Sequence, residues 1–184
     1  MIGADLNQPP RLIFITGFMG AGKTTIAREL ARLLNYHVID LDELISEREH
    51  RSPGEIIEQS GEDEFRRIEA EMLLQVLNEQ TGDSTGSVIA LGGGAWTLEK
   101  NRDLISQHDG VSIWLDAPFE VCWQRIQADG NRRPLARDEA DARMLYAERK
   151  PQYALAQLHV LTDPNKSATD ICVEIARVMR TQNR

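Results

Sequence analysis

The chain has 184 residues, 41% hydrophobic and 27% charged, with a formal net charge of −8. This length suits one domain with a substantial core, and the acidic balance argues against nucleic acid or an anionic membrane surface as a partner. No apolar run approaches the roughly 20 residues of a spanning helix, and Cys122 and Cys172 form no C-x-x-C or Cys/His cluster, which suits reduced, buried thiols.

Residues 1–10 lack the basic start and apolar core of a signal peptide, so they read as a loose leader to a domain over 11–184, with a cytoplasmic location expected. The apolar run Leu12–Thr16 predicts the first strand. It enters Gly17-Phe-Met-Gly20-Ala21-Gly22-Lys23-Thr24-Thr25, and a helical period (Ile26, Leu30, Leu33, Leu34) follows over 23–34. Strand, G-x-x-x-x-G-K-[ST] and helix in that order form a nucleoside triphosphate cradle. Glycines let backbone N–H groups curl around phosphates, and the helix N-terminus faces the anion. Lys23 can then reach the terminal phosphates and Thr24 can offer its hydroxyl to Mg²⁺.

A second strand is predicted over His37–Ile39, with Asp40 and Asp42 at its end. Alternation along an extended chain would point both carboxylates to one side, one for Mg²⁺ through water and one for an acceptor hydroxyl. Asp42 could equally cap a helix. Over 62–79 the residues Phe65, Ile68, Met72, Val76 and Leu77 follow helical spacing, which leaves Glu69, Glu71 and Glu79 to other faces. Arg66 and Arg67 are adjacent on this acidic helix, and Arg66 is in i,i−4 reach of Glu62.

Gly82–Gly86 reads as a polar turn before a third strand, Val88–Leu91, which runs into Gly92-Gly93-Gly94. Three glycines after a strand expose backbone N–H groups and leave room for a ligand. Helices near 98–107 and 118–128 flank a strand at Val111–Leu115. Asp129–Arg137 reads as a surface loop, and a helix over 138–156 contains Arg149-Lys-Pro-Gln-Tyr153. A strand at His159–Leu161 and a helix over 168–180 close the chain. This alternation predicts an α/β fold, a central five-stranded parallel sheet flanked by helices, with ligands at the C-terminal strand ends.

Taken in order, G-x-x-G-x-G-K-T-T at 17–25, D-x-D at 40–42, G-E-x-E-F-R-R-I-E at 61–69, G-G-G at 92–94, R-R-P-L at 132–135 and R-x-P-x-Y at 149–153 resemble the shikimate kinase family. The resemblance spans Arg11 to about Met179. It implies a three-layer P-loop kinase fold, with a substrate-binding region about 41–70 and a lid about 129–138. The implied reaction moves the γ-phosphoryl of ATP to the 3-hydroxyl of shikimate, with ATP as co-substrate, Mg²⁺, and a monomeric protein.

By the same resemblance Gly20, Ala21, Gly22, Lys23, Thr24 and Thr25 cradle ATP, Thr24 ligates Mg²⁺, and Asp40 holds it through water. Asp42 would hold the shikimate hydroxyls and assist deprotonation of the attacking one. Arg66 and Arg149 would grip the substrate carboxylate beside Gly92, Gly93 and Gly94. Arg133 would descend with the lid onto the phosphates, and Arg125 and Lys166 would meet the adenine end.

The chain departs from the family pattern at Ile57, where many relatives carry an aromatic residue lining the substrate pocket. It departs again after Leu135, where relatives often continue with a second leucine. Arg125 stands about one residue from the usual adenine-stacking arginine. A related small-metabolite kinase, such as a gluconate kinase, and a non-catalytic ATP-binding module are the alternatives. A GTPase-type switch is rejected, because Asp83–Gly86 precedes its strand and Asn165-Lys166 lacks the base-reading aspartate that would follow.

Overall fold

A computed structural model describes residues 9–80, 85–129, 134–163 and 165–182. Five strands, β1 (Leu12–Thr16), β2 (His37–Asp40), β3 (Ser87–Ala90), β4 (Val111–Asp116) and β5 (Leu158–Leu161), pair in parallel in the order β2-β3-β1-β4-β5. Ile13, Phe14 and Ile15 of central β1 are wholly buried, as expected where helices cover both faces of a parallel sheet. Eight α-helices supply that cover: α1 (Lys23–Leu34), α2 (Leu41–Glu49), α3 (Pro53–Ser60), α4 (Glu62–Gln80), α5 (Glu99–Gln107), α6 (Phe119–Asp129), α7 (Glu139–Tyr153) and α8 (Ala168–Gln182). The result is the expected three-layer α/β architecture, with α1 against α8 and α4 against α2, α3 and α5.

The five strands and the six foreseen helices form, with ends shifted by a few residues. Two further helices, α2 and α3, occupy 41–60, where no element was expected. They begin for local reasons. Asp40 accepts hydrogen bonds from the backbone N–H of Asp42 and of Glu43 and so caps α2. Ser52 and Glu55 make a reciprocal capping box at the start of α3, with Pro53 in its first turn.

This corrects the reading of Asp42. It stands in the first turn of α2 and is not strand-paired with Asp40, so the two acids do not share a face by strand alternation. The capping residue is Asp40, not Asp42. The predicted helix over 138–156 ends at Tyr153.

The loop from β1 to α1 is shaped by close backbone approach. Gly20 has φ +78°, and a Cβ there would lie 2.5 Å from the Cys122 carbonyl oxygen of α6. Gly22 caps α1 in the left-handed region and, being glycine, offers that helix no side-chain cap. A helix N-terminus of this kind, entered from a glycine loop, faces an anion favourably. Cys122 and Cys172 are both buried free thiols.

Candidate active site

A cleft of about 430 Å³ runs along the C-terminal strand ends, from the P-loop to the Gly92–Gly94 turn. Lys23, Thr24, Asp40, Asp42, Arg66 and Arg149 all line it, so residues far apart in sequence converge there. Lys23 Nζ donates to the Phe18 carbonyl at 3.1 Å and stays folded over its own loop. Arg125 Nη1 donates to the Gly20 carbonyl at 3.0 Å and ties α6 to the same loop.

The Thr24 hydroxyl donates to Asp40 Oδ2 at 2.5 Å, linking the start of α1 to the cap of α2. Two hard oxygen donors side by side at the phosphate end suit Mg²⁺, which keeps several waters and takes only one or two protein ligands beside phosphate oxygens.

At the other end of the cleft, the glycine turn has a definite steric purpose. A Cβ on Gly92 would lie 2.6 Å from Glu69 Oε1 and 2.7 Å from Asp42 Oδ1, so both carboxylates close on the space that glycine leaves. At Gly94 a Cβ would collide with the Arg66 guanidinium. The turn therefore makes room for the acid and the arginine as well as for a ligand. It is pinned from α7, where the Tyr153 hydroxyl donates to the Gly93 carbonyl at 2.5 Å and the Gln152 carbonyl accepts from Trp96 Nε1 at 3.0 Å.

The adjacent arginines of α4 separate cleanly. Arg67 is exposed and paired with Glu64 and Glu71. Arg66 is largely buried, donating from Nη1 to Glu69 at 2.7 Å and from Nη2 and Nε to Glu62 at 2.9 and 3.2 Å. Arg149, on the buried face of α7, has its Nη2 3.8 Å from the same Glu62 oxygen.

Glu69 was expected away from the core, and the structure corrects this: it has no exposure at all. Its spacing carried the signal, because position 69 lies one turn after Phe65 and three residues before Met72, inside the apolar stripe. Burial pushes the Glu69 carboxyl up to about 7, against the opposing pull of Arg66, and the Asp42 charge raises it further.

A second cavity of about 260 Å³ adjoins the P-loop at Ala21, Gly22 and Thr25 and is bordered by Arg125, Asp163 and Lys166. Arg125 and Lys166 thus meet beyond the phosphate loop, with Lys166 Nζ paired to Glu174 at 2.7 Å. Ile57 lines the main cleft, as do Pro134 and Leu135 from the R-R-P-L segment. Arg133 itself lies outside the described residues.

A phosphate loop facing a carboxylate and two buried arginines across one cleft defines a P-loop small-molecule kinase. Arg66, Arg149 and Asp42 line the end of the cleft away from that loop. The shikimate kinase family model matches residues 19–180, and the chain belongs to that family. A shikimate kinase of Geobacter sulfurreducens is 40% identical over 92% of this chain and 91% of its own. One of Ruegeria pomeroyi is 35% identical over 94% and 86%. Among solved structures, the shikimate kinase of Acinetobacter baumannii in complex with shikimate superposes with a TM-score of 0.81 at 34% identity, covering 96% of each chain. A gluconokinase of Sinorhizobium meliloti has a TM-score of 0.64 at 17% identity, which is likeness of fold alone.

Proposed function

We propose that this protein transfers the γ-phosphoryl group of ATP to the 3-hydroxyl of shikimate, giving shikimate 3-phosphate and ADP. The observation that carries this is the convergence on one cleft of the P-loop lysine, Asp42 and the arginine pair Arg66 and Arg149. Phosphoryl transfer needs positioning and cations on the developing charge more than covalent help from the protein.

In this reading the backbone from Gly20 to Thr25 and the Lys23 ammonium hold the phosphates. Thr24 and, through water, Asp40 would hold Mg²⁺, which neutralises phosphate charge when bound. Asp42 holds the acceptor hydroxyl and assists its deprotonation. Arg66 and Arg149 grip the carboxylate as guanidinium forks, a geometry a lysine lacks, with the Gly92–Gly94 backbone beside them. Arg125 and Lys166 border the adenine end, and Arg133 completes the phosphate contacts from a lid at about 129–138.

The reading treats 11–184 as one catalytic unit, with the substrate region at about 41–70, acting as a monomer in the cytoplasm. No helix among the described residues is long and apolar enough to cross a membrane. Replacing Lys23 by Met or Asp42 by Asn tests the roles directly: turnover with ATP and shikimate should be lost while the far-ultraviolet spectrum and melting behaviour remain.

A further inference from the structure

Resting on the reading of the Gly92–Gly94 backbone as part of the acceptor site, we propose that Asn101 of α5 is a positioning residue for the acceptor. It holds the peptide next to this turn from behind and so sets the turn against Asp42 and Glu69. Asn101 is 1% exposed and stands outside the cleft lining. Its Nδ2 donates to the Ala95 carbonyl at 2.9 Å. A side-chain amide is costly to bury unless such a bond is made.

The bond belongs to a run. From Gly92 to Thr97 every carbonyl is held: Gly92 by the Ala95 N–H, Gly93 by the Tyr153 hydroxyl, Gly94 by the N–H and hydroxyl of Thr97, Ala95 by Asn101, and Trp96 and Thr97 by Arg102 Nη1. Because a trans peptide is planar, a fixed carbonyl also fixes the direction of the N–H that follows it. The backbone donors of the turn are thus aimed by the groups that hold its carbonyls. Those ties come from two helices. From α7 come Tyr153 and the Gln152 carbonyl, which accepts from Trp96 Nε1, and from α5 come Asn101 and Arg102.

Ala95 is the pivot. Its N–H closes the turn on the Gly92 carbonyl, and its own carbonyl is the one that Asn101 takes. Without Asn101 the peptide from Ala95 to Trp96 can rotate, and the closing bond loosens with it. Gly92 has no room to spare, since a Cβ there would lie 2.6 Å from Glu69 Oε1 and 2.7 Å from Asp42 Oδ1. A shift of the turn is therefore felt at the acceptor end, whereas the P-loop is held by its own bonds from Lys23 and Arg125.

The plainer reading is that Asn101 only satisfies a buried carbonyl and fastens α5 to the core. Ile105, one turn further along the same helix and also buried, separates the two readings, because its apolar side chain cannot bond to the turn.

The test compares wild type, Asn101→Leu, Asn101→Ser, Ile105→Val, Tyr153→Phe and the double variant Asn101→Leu with Tyr153→Phe. The readouts are steady-state kinetics, calorimetric binding of shikimate and denaturant unfolding. Asn101→Leu keeps the volume and removes the donor. Its KM and Kd for shikimate should rise about tenfold, the worth of about one hydrogen bond, with the KM for ATP unchanged. Asn101→Ser, whose hydroxyl stops short of Ala95, should behave alike. Ile105→Val should lose stability without moving either KM. Since Asn101 and Tyr153 hold one turn, the double variant should raise the shikimate Kd by less than the product of the two single effects.

An unchanged shikimate KM in both Asn101 variants would overturn the proposal. So would a matching rise in the KM for ATP, or the same shikimate effect in Ile105→Val, since either reduces Asn101 to a fold effect. Effects of Asn101→Leu and Tyr153→Phe that simply multiply would overturn the shared turn. If wild type neither binds nor phosphorylates shikimate, the acceptor-site reading itself falls, and the proposal with it. Should Asn101→Leu not fold, Asn101→Ser decides on the same criteria.

Discussion

The Tyr153 hydroxyl donates to the Gly93 carbonyl across 2.5 Å, fastening the C-terminal end of α7 to the glycine turn that lines the main cleft. Tyr153 and Arg149 are one turn apart on the same helix face, so the bond that anchors the turn also fixes the height of the arginine above it. Tyr153→Phe should destabilise the protein by about 1 kcal/mol, because a half-buried carbonyl loses its donor. Denaturant unfolding measures this, and the shikimate KM should rise in the same variant.

Gly92→Ala tests the steric purpose of the turn. The added methyl would stand 2.6 Å from Glu69 Oε1 and 2.7 Å from Asp42 Oδ1, and one of those carboxylates must move. The expected result is a loss of about a hundredfold or more in kcat/KM for shikimate, consistent with misplacing a catalytic group by about 1 Å. ATP binding, measured by calorimetry, should be unaffected.

Glu69 imposes a pH dependence on stability. Its carboxyl is pushed from 4.5 to about 7 by burial, so between those values the folded protein holds a proton that the unfolded chain has released. The contribution of this group is therefore fully present below pH 4.5 and is lost as pH rises through about 7. Chemical unfolding of wild type and Glu69→Gln across that range should show the stability of wild type falling relative to the variant as pH rises. Parallel profiles would contradict the burial argument.

Arg66→Lys and Arg149→Lys keep the charge but remove the planar fork. Each should raise the shikimate KM by about tenfold to a hundredfold, as a bidentate contact becomes a point contact. Arg67→Lys, on the exposed side of the same helix, should change little. Steady-state kinetics on the three variants distinguishes geometry from net charge.

Much of this site is legible in the sequence because its parts sit at fixed offsets on regular elements. The P-loop announces itself as strand, glycines, lysine and helix. Arg149 and Tyr153 share a face by helical spacing. The start of α2 was harder to read, because D-x-D after an apolar run fits both a strand end and a helix cap, and only the bonds from the Asp42 and Glu43 amides to Asp40 decide between them. The capping box of α3, Ser52 to Glu55, was present in the sequence and would have marked that helix.

Glu69 was obscured by its chemistry. Helical periodicity sets it on the core face, but a carboxylate is ordinarily excluded from a core unless a partner awaits it, and the partner, Arg66, looked like a surface residue. Nor does sequence alone reveal why Gly92 and Gly94 must lack a side chain. The colliding groups come from α2 and α4, which meet the turn only after folding.

The most direct measurement is ADP release in the presence of ATP and Mg²⁺ with shikimate, gluconate and a set of nucleoside monophosphates supplied in turn. The account predicts turnover with shikimate and none with the others, abolished in Lys23→Met and Asp42→Asn. Turnover with another acceptor, or silence with all of them from folded protein that still binds ATP, would contradict it.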